Sequence, residues 1–346
     1  MTTLRRPWLA LGSLGVGLGG VFLLALGMGA TAIPLDRLWF ALSGRVEALD
    51  LVESTIIYQI RLPRAVAAVA VGAVLGVCGA AMQGLFRNPL ADPGLIGVTA
   101  GASLGALAYI KFGAVWLAAV PALLAGFALP LFAFAGGVVT TLLIYRSSRV
   151  EGRTVVGLML LAGIAINALG GAAIGVFLFF SDDQQLREFT FWTLGNLGRA
   201  TWPELLAAAP FMLLALLYLP VQARALNALL LGEAEAGHLG FDTEKPQRRI
   251  ILVTAGGVGA AVAVAGGIGF IGLVAPHLIR QLLGPDHRWL MPASALIGGL
   301  LLMIADLLAR TVAAPAELPV GVITALVGAP VFFSLLRRRR RGAVFA

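Results

Sequence analysis

Long apolar stretches alternate with short polar segments along almost the whole chain. A helix needs about 20 mainly apolar residues to cross about 30 Å of hydrocarbon. The pattern therefore predicts ten membrane-spanning helices, at approximately residues 9–32, 65–85, 95–110, 115–144, 154–180, 203–221, 250–265, 269–283, 290–309 and 319–336. The eighth is short and contains Pro276, so we expect it to be kinked or joined to the seventh as a broken helix through Gly266 and Gly267.

Composition indicates the same class of protein. Apolar residues make up 59% of the 346 residues, charged residues make up only 12%, and the mean hydropathy is +0.94. A soluble protein of this size has too little interior for so much apolar surface, whereas a bilayer solvates it. The sequence therefore predicts an all-α, polytopic membrane protein with a single transmembrane domain over residues 1–346. A signal peptide is the alternative for the first span, but the apolar run there exceeds the roughly 7–15 residues of such a segment.

The distribution of positive charge predicts the orientation of the chain. Lys and Arg residues in short loops stay on the cytoplasmic side of a membrane. With the N-terminus inside, most of the 25 Lys and Arg residues fall in cytoplasmic segments, so both termini are expected in the cytoplasm. The net charge of +8 is then a positive-inside bias, and the Arg337–Arg341 run is expected to contact anionic membrane lipid. Nucleic-acid binding is not expected, because no soluble basic domain accompanies the charge.

Small residues recur at every fourth position in two of the predicted spans. The stripes are Gly72, Gly76, Ala80 and Gly84 in the second span, and Gly171 and Gly175 in the fifth. Such stripes let helices approach closely in lipid, so we expect both to pack against neighbouring helices. The alternative is that they line a wide transport pathway.

Residue types that support catalysis are scarce. The three histidines, His238, His277 and His287, have no metal-ligand spacing, so neither a metal site nor a hydrolase site is predicted. A nucleotide-binding Walker A loop needs Gly-Lys-Ser/Thr, which neither Lys111 nor Lys245 supplies. If the protein moves a solute with ATP, the ATPase must be another chain. A transporter driven by an ion gradient is a competing class, but it usually carries an ionisable residue in mid-membrane.

A polar segment between two Gly-rich helix patterns is the most distinctive motif. It reads RNPLADPGLIGV and runs from Arg87 to Val98. Pro89 and Pro93 break the chain where one span gives way to the next. We therefore expect a loop at a pore mouth, on the cytoplasmic side in this topology.

Five sequence blocks together resemble one known family. They are RLPR from Arg61, QGLFRNPLADPGLIGV from Gln83, LGEAEAGHLG from Leu231, GFIGLVAPH from Gly269 and ELPVGVITALVGAPVF from Glu317. In order and over nearly the whole chain they resemble the permeases of type II ABC importers, which carry vitamin B12, ferric siderophores and heme across the bacterial inner membrane. The resemblance implies a homodimer of ten-helix subunits, a periplasmic substrate-binding protein and two ATP-binding subunits. ATP and Mg are then bound by the ATP-binding subunits and not by this chain.

The resemblance assigns docking to three arginines. Arg61, Arg64 and Arg310 match positions that face the periplasm and pair with glutamates of the binding protein, which suits the planar guanidinium. The alternative is that they are ordinary arginines that extend to the membrane interface. Asp306 lies four residues before Arg310, so we expect it to hold that arginine in place.

The resemblance also assigns a gate and a coupling element. Asn88 and Leu90 match positions that help to close the cytoplasmic gate. The segment 223–249 is the predicted cytoplasmic coupling loop, which is long for a mere connector. Within it we expect Gly237 and Gly240 to allow tight turns, and Glu233, Glu235 and His238 to be exposed. The residues assigned to contact with the ATPase are Leu231, Gly232, Glu233, Glu235, Gly237, His238 and Gly240.

The cargo is the least determined expectation, because no residue pattern identifies it directly. A large chelate needs a wide cavity, with selectivity supplied mainly by the binding protein. The amino-acid sequence of the block from Gln83 looks most similar to that of heme permeases. The expected cargo is therefore heme first, a ferric siderophore second and vitamin B12 third. His277 is expected to cap or pack a helix and not to bind iron.

Overall fold

The computed structural model of the protein describes residues 7–29, 31, 33–45, 49–117, 126–238, 240 and 242–343, and these are mainly helical. The helices are α1 Pro7–Gly27, α2 Leu35–Leu42, α3 Leu51–Leu85, α4 Val98–Leu117, α5 Ala128–Ser147, α6 Val156–Phe179, α7 Asp183–Thr193, α8 Trp202–Val221, α9 Ala223–Leu229, α10 Glu233–His238, α11 Glu244–Ala265, α12 Ile271–Leu283, α13 His287–Thr311 and α14 Val320–Ala343. A π-helical turn occupies Ile56–Arg61 within α3, and two short strands, β1 Arg149–Val150 and β2 Arg153–Thr154, pair between α5 and α6.

Most of the long helices have the length and composition of membrane spans. Among the described residues, seven helices are long and apolar enough to cross a membrane, namely α1, α3, α5, α6, α8, α11 and α13. Two shorter apolar helices follow at α12 and in the Val320–Phe333 part of α14, and α4 is 20 residues long. Each of the ten predicted spans therefore overlaps a described helix, although several helix ends differ from those predicted and residues 118–125 of the fourth span lie outside the described part of the chain.

Two of these differences, and the separation of the seventh and eighth spans, have clear physical causes. Helix α3 begins at Leu51, well before residue 65, because Asp50 and Glu53 form a capping box there. Helix α11 begins at Glu244, not residue 250, since Pro246 is tolerated in a first turn whose N–H groups have no helical partner. The seventh and eighth spans are separate helices, because the backbone leaves the helical conformation at Gly266, where φ is 69°.

Close contact of small residues holds the centre of the bundle together. A Cβ added to Gly76 would lie 2.1 Å from the carbonyl oxygen of Ser294 on α13, and one added to Gly79 would lie 1.8 Å from that of Gly272 on α12. No side chain fits there, so the packing prediction is confirmed for the stripe on α3. For Gly171 and Gly175 an added Cβ would meet nothing within 4 Å among the described residues of this chain, so packing of that pair against another helix stays a prediction.

Two ends of the bundle carry the predicted sites. We call the end that holds Arg61, Arg64 and Arg310 the arginine end. The other, which we call the loop end, holds the segment 87–98, the β1–β2 hairpin and residues 223–243. Helix α3 spans both, because its 24 α-helical residues from Leu62 to Leu85 rise about 36 Å at about 1.5 Å per residue. In the signal-peptide alternative, Arg5 and Arg6 would form the charged N-terminal region, and Ala30 and Ala32 would belong to the cleavage site. These four residues and the side chains of Arg337–Arg341 lie outside the described part of the chain.

Candidate functional site

The three predicted docking arginines lie together at the arginine end and are buried. Their exposed fractions are 5% for Arg61 and 7% for both Arg64 and Arg310. Arg64 Nε donates to Asp306 Oδ1 at 2.8 Å, and Arg64 Nη1 donates to both carboxylate oxygens of Glu317, at 3.0 and 2.9 Å. Asp306 Oδ2 also lies 3.6 Å from Arg310 Nε. Arg64 and Arg310 therefore form ion pairs with Asp306 and Glu317, and Arg61 joins this arginine cluster through its electrostatic interaction with Arg310, which gives three cations and two anions.

Two of these arginines also complete the end of α1. Arg61 Nη1 donates to the carbonyl oxygens of Leu26 and Gly27, at 2.7 and 2.8 Å, and Arg310 Nη2 donates to that of Ala25 at 2.6 Å. The last carbonyls of a helix have no partner within it, and a cation nearby also suits the helix dipole. These contacts fix the end of α1 against α3 and α13.

Glu317 is the member of the arginine cluster that sequence reasoning did not single out. Its side chain is 49% exposed, whereas that of Asp306 is 2% exposed, so Glu317 forms the accessible side of the cluster. Asp306 does contact Arg310, as expected, but it also contacts Arg64, and the contact with Arg64 is the shorter of the two. The spacing of four residues along α13 identified Arg310, but Arg64 lies 242 positions away in sequence.

Local hydrogen bonds fold the predicted gate segment into two consecutive turns. Asn88 Oδ1 accepts from the Leu90 N–H at 3.0 Å, and Asp92 Oδ1 accepts from the Gly94 N–H at 2.7 Å. Asn167 Nδ2 on α6 donates to the Gly94 carbonyl oxygen at 3.2 Å. Burial raises the pKa of the Asp92 carboxyl, and the hydrogen bond from Gly94 opposes this shift. Asn88 is exposed and Leu90 is half-buried, so the first turn presents one polar and one apolar side chain.

The predicted coupling element is a short exposed helix at the loop end. Helix α10 has six residues, and the side chains of Glu233, Glu235 and His238 are exposed, as is Leu231 just before it. An added Cβ on Gly232 would lie 3.6 Å from Arg87 Nη1, so this helix adjoins the predicted gate segment. The 223–249 segment is therefore largely helical, with α9, α10 and the first turns of α11 in sequence.

The glycines of this element differ from the expectation. Gly232 and Gly240 have φ of 113° and 80°, which favours glycine at both ends of α10. The prediction that Gly237 supplies a turn is wrong, because it lies within α10. A Cβ added to Gly237 would meet nothing within 4 Å, so this position is an open surface.

His277 lies inside α12 and contacts its own helix. Its Nε2 is 2.7 Å from Gln281 Nε2, one turn further along. Among the described residues, no group of three or more His, Cys, Asp or Glu side chains is arranged to hold a metal ion. The geometry of His277 is that of a residue packed within a helix.

A multi-pass helical bundle with polar sites at its two ends is compatible with a membrane permease, and the comparisons with known proteins identify the family. The model of the FecCD transport family matches residues 17–338. The chain therefore belongs to the FecCD transport family and is a permease of the type II ABC importers. Its relatives are transport subunits, which indicates transport and not catalysis.

Relatives of known name carry two kinds of cargo. The hemin transport system permease protein HmuU of Yersinia pestis is 47% identical over 337 residues, which are 97% of this chain and 97% of that protein. The cobalamin import system permease protein BtuC of Halobacterium salinarum is 42% identical over 82% of this chain and 74% of that protein. The vitamin B12 permease BtuC of Salmonella typhi is 41% identical over 82% and 84%.

A solved structure supports the fold directly. It is an inward-facing conformation of a transporter assigned to the metal-chelate type of ABC transporters. It superimposes with a TM-score of 0.80 at 32% identity, covering 95% of this chain and 98% of that one. The chain is thus a permease of an ABC importer of the metal-chelate and vitamin B12 type.

Proposed function

We propose that this chain moves heme from the periplasm to the cytoplasm as the membrane-spanning subunit of an ATP-driven importer. The observation that carries the proposal is the 47% identity to a hemin permease over 97% of both chains. Vitamin B12 is the second candidate cargo, because several vitamin B12 permeases are 41–42% identical over 82% of this chain. A ferric siderophore is a third.

The proposal includes a topology and an assembly. The chain forms one permease domain that crosses the bacterial inner membrane ten times, with both termini in the cytoplasm. The loop end is then cytoplasmic and the arginine end periplasmic. Two copies pair as a homodimer, two ATP-binding subunits bind ATP and Mg at the loop end, and a binding protein delivers cargo to the arginine end. Helices at all ten predicted spans and the positive-inside bias support this arrangement.

Uptake by the reconstituted transporter tests the cargo. Proteoliposomes that contain this chain, its ATP-binding subunits and its binding protein should accumulate hemin when supplied with ATP. We expect cyanocobalamin and a ferric hydroxamate siderophore to enter more slowly by a factor of about ten or more, equivalent to about 1.4 kcal/mol of discrimination. Accumulation of cyanocobalamin without hemin would transfer the proposal to vitamin B12.

The arginine cluster is the proposed docking site for the binding protein. In the single chain, Arg64 donates to Glu317, and these contacts lie on the accessible side of the cluster. A carboxylate of the binding protein therefore competes with Glu317 for Arg64. Arg61 and Arg310 contribute their charge and hold α1 in place, so the cluster keeps one more cation than anion.

Two substitutions of opposite effect test this docking. Arg64→Gln should weaken association with the binding protein, and Glu317→Gln should strengthen it, because it removes the competing carboxylate. Because Arg64 is reached only from the accessible side of the cluster, each change should be up to about fivefold in Kd, equivalent to about 1 kcal/mol. Asp306 Oδ2 lies 3.6 Å from Arg310 Nε, so we expect this buried carboxylate to keep a cation in the Arg64 variant.

The exposed Arg187 on α7 provides the control for the docking test. Arg187→Gln should leave the dissociation constant unchanged. Affinities of Arg64→Gln and Glu317→Gln equal to that of the unmodified chain at low salt would contradict the docking proposal.

The gate and coupling roles complete the proposed function. Asn88 and Leu90 help to close the cytoplasmic gate, and the segment 223–249 contacts an ATP-binding subunit through the residues from Leu231 to Gly240. The exposure of Leu231, Glu233, Glu235 and His238 supports a contact role for this segment. The approach of Arg87 to Gly232 supports communication between the gate segment and α10.

A further inference from the structure

A tight hairpin joins α5 and α6 at the loop end. Arg149 pairs with Thr154 and Val150 pairs with Arg153 across the two strands. Glu151 and Gly152 at its tip have φ of 51° and 82°, the pair of positive angles that a two-residue type I′ turn requires. The hairpin therefore fixes the ends of α5 and α6 relative to each other.

Glu244, the first residue of α11, binds this hairpin. Its Oε2 accepts the Thr154 N–H at 2.8 Å, and its Oε1 accepts the Thr154 hydroxyl at 2.9 Å. The hydroxyl of Tyr145, at the end of α5, lies 3.5 Å from the same Oε1. Thr154 is only 3% exposed, so these contacts are shielded from water and are strengthened by the charge of the acceptor.

Gln247 lies one turn further along α11 and reaches the other neighbour. Its Nε2 donates to Glu233 Oε1 at 3.2 Å, and Gln247 itself is 2% exposed. Glu233 is the first residue of α10. Residues three apart share one face of a helix, so the first turn of α11 contacts α10 through Gln247 and the hairpin through Glu244.

Helix α10 depends on such contacts for its position. Six residues are too few for an isolated helix to be stable in water. Any displacement of α10 therefore reaches the rest of the bundle through its few fixed contacts, and the contact from Gln247 to Glu233 is one of them.

We propose that Glu244 and Gln247 form a joint that transmits movement of α10 to the hairpin and so to α5 and α6. We call Tyr145, Thr154, Glu233, Glu244 and Gln247 the α11 joint. The inference rests on the proposed function, in which α10 contacts an ATP-binding subunit. Glu244 and Gln247 are positioning residues in this account, since they act through other groups and touch no cargo. The competing explanation is that Glu244 only stabilises α11 by placing a negative charge at the N-terminus of the helix.

Two substitutions of Glu244 separate these explanations in the complete reconstituted transporter. Glu244→Ala removes both hydrogen bonds from the Glu244 carboxylate to Thr154 of the hairpin. Glu244→Gln keeps an oxygen for the Thr154 N–H and gains an amide N–H that can donate to the Thr154 hydroxyl, but it loses the charge. Rescue by Gln is therefore expected of the joint and not of a charge at the helix N-terminus.

The readout is the amount of hemin imported per ATP hydrolysed. Glu244→Ala and Gln247→Ala should leave assembly and ATP hydrolysis intact but lower this ratio by a factor of about five, as the loss of about 1 kcal/mol of hydrogen bonding implies. Glu244→Gln should stay close to the unmodified transporter. Asp183→Ala is the matched control, because it removes the carboxylate of the first residue of α7, which is exposed, and it should have no effect.

Several outcomes would overturn the proposal. An unchanged ratio in both Ala variants means that the joint transmits nothing. A Gln variant as impaired as Glu244→Ala assigns the effect to the helix N-terminus. If Glu244→Ala fails to assemble, the Gln247→Ala ratio decides alone. If the unmodified complex shows no ATP-driven uptake at all, the proposed function fails first, which distinguishes that failure from a failure of the joint.

Discussion

Reconstituted alone in proteoliposomes, this chain is expected to hydrolyse no ATP and to accumulate no ligand. The physical reason is that neither Lys111 nor Lys245 stands in the Gly-Lys-Ser/Thr context of a phosphate-binding loop. Addition of the cognate ATP-binding subunits and binding protein should restore both ATP hydrolysis and uptake. The effect is all or none, so it is the largest that the sequence predicts.

The control for this experiment keeps the assembly but removes the chemistry. ATP-binding subunits in which the phosphate-binding lysine is replaced should assemble with the chain and still give no uptake. Uptake driven by a proton or sodium gradient, without any ATP-binding subunit, would contradict the proposed mechanism. It would indicate a secondary transporter, the competing class. An ion-driven transporter would need an ionisable residue such as Asp306 to bind the coupling ion. The negative charge of Asp306 is already paired with Arg64 and Arg310.

The membrane spans could be predicted because the bilayer imposes their length. A run of apolar residues long enough to cross the hydrocarbon has few alternatives to a helix, since every backbone polar group must be satisfied internally. The ends of those helices were harder to predict. Glu244 to Arg249 are polar or charged apart from Pro246, so hydropathy assigned them to a loop, although α11 includes them.

The partners of the site residues could not be predicted from local patterns. Arg64 meets Glu317 across 253 positions of sequence, and Gln83 donates to the Leu273 carbonyl across 190. Spacing along one helix identifies neighbours only within that helix, as it did for Asp306 and Arg310. The burial of the arginines therefore became visible only once α1, α3 and α13 were packed together.

The different structural roles of the glycines were the hardest to distinguish from the sequence. Gly76 and Gly171 both belong to small-residue stripes, yet only Gly76 is in close contact with a neighbouring helix. Gly237 and Gly240 lie three residues apart, yet only Gly240 has a positive φ. A glycine can be required by close packing, by a positive φ or by an approaching partner. The sequence shows only that the residue is glycine, so it cannot distinguish these three reasons.

Gly237 is nevertheless the position at which the coupling role can be tested most sharply. We expect Gly237→Trp to leave the bundle folded and the binding protein bound, because Gly237 is exposed and an added Cβ there meets nothing within 4 Å in this chain. If α10 seats in a groove of an ATP-binding subunit, the added ring overpacks that contact at a cost of about 1–3 kcal/mol. Ligand-stimulated ATP hydrolysis and uptake should then fall by about tenfold or more.

A matched variant shows whether this effect belongs to the position or to the tryptophan. Gly12 on α1 is also exposed, and a Cβ there would meet nothing within 4 Å. Gly12→Trp should retain ATP hydrolysis and uptake, because Gly12 lies outside the coupling element and a Cβ there has open space. If Gly237→Trp loses neither assembly with the ATP-binding subunits nor uptake, the segment from Leu231 to Gly240 is a linker. The coupling proposal then fails, although membership of the family stands.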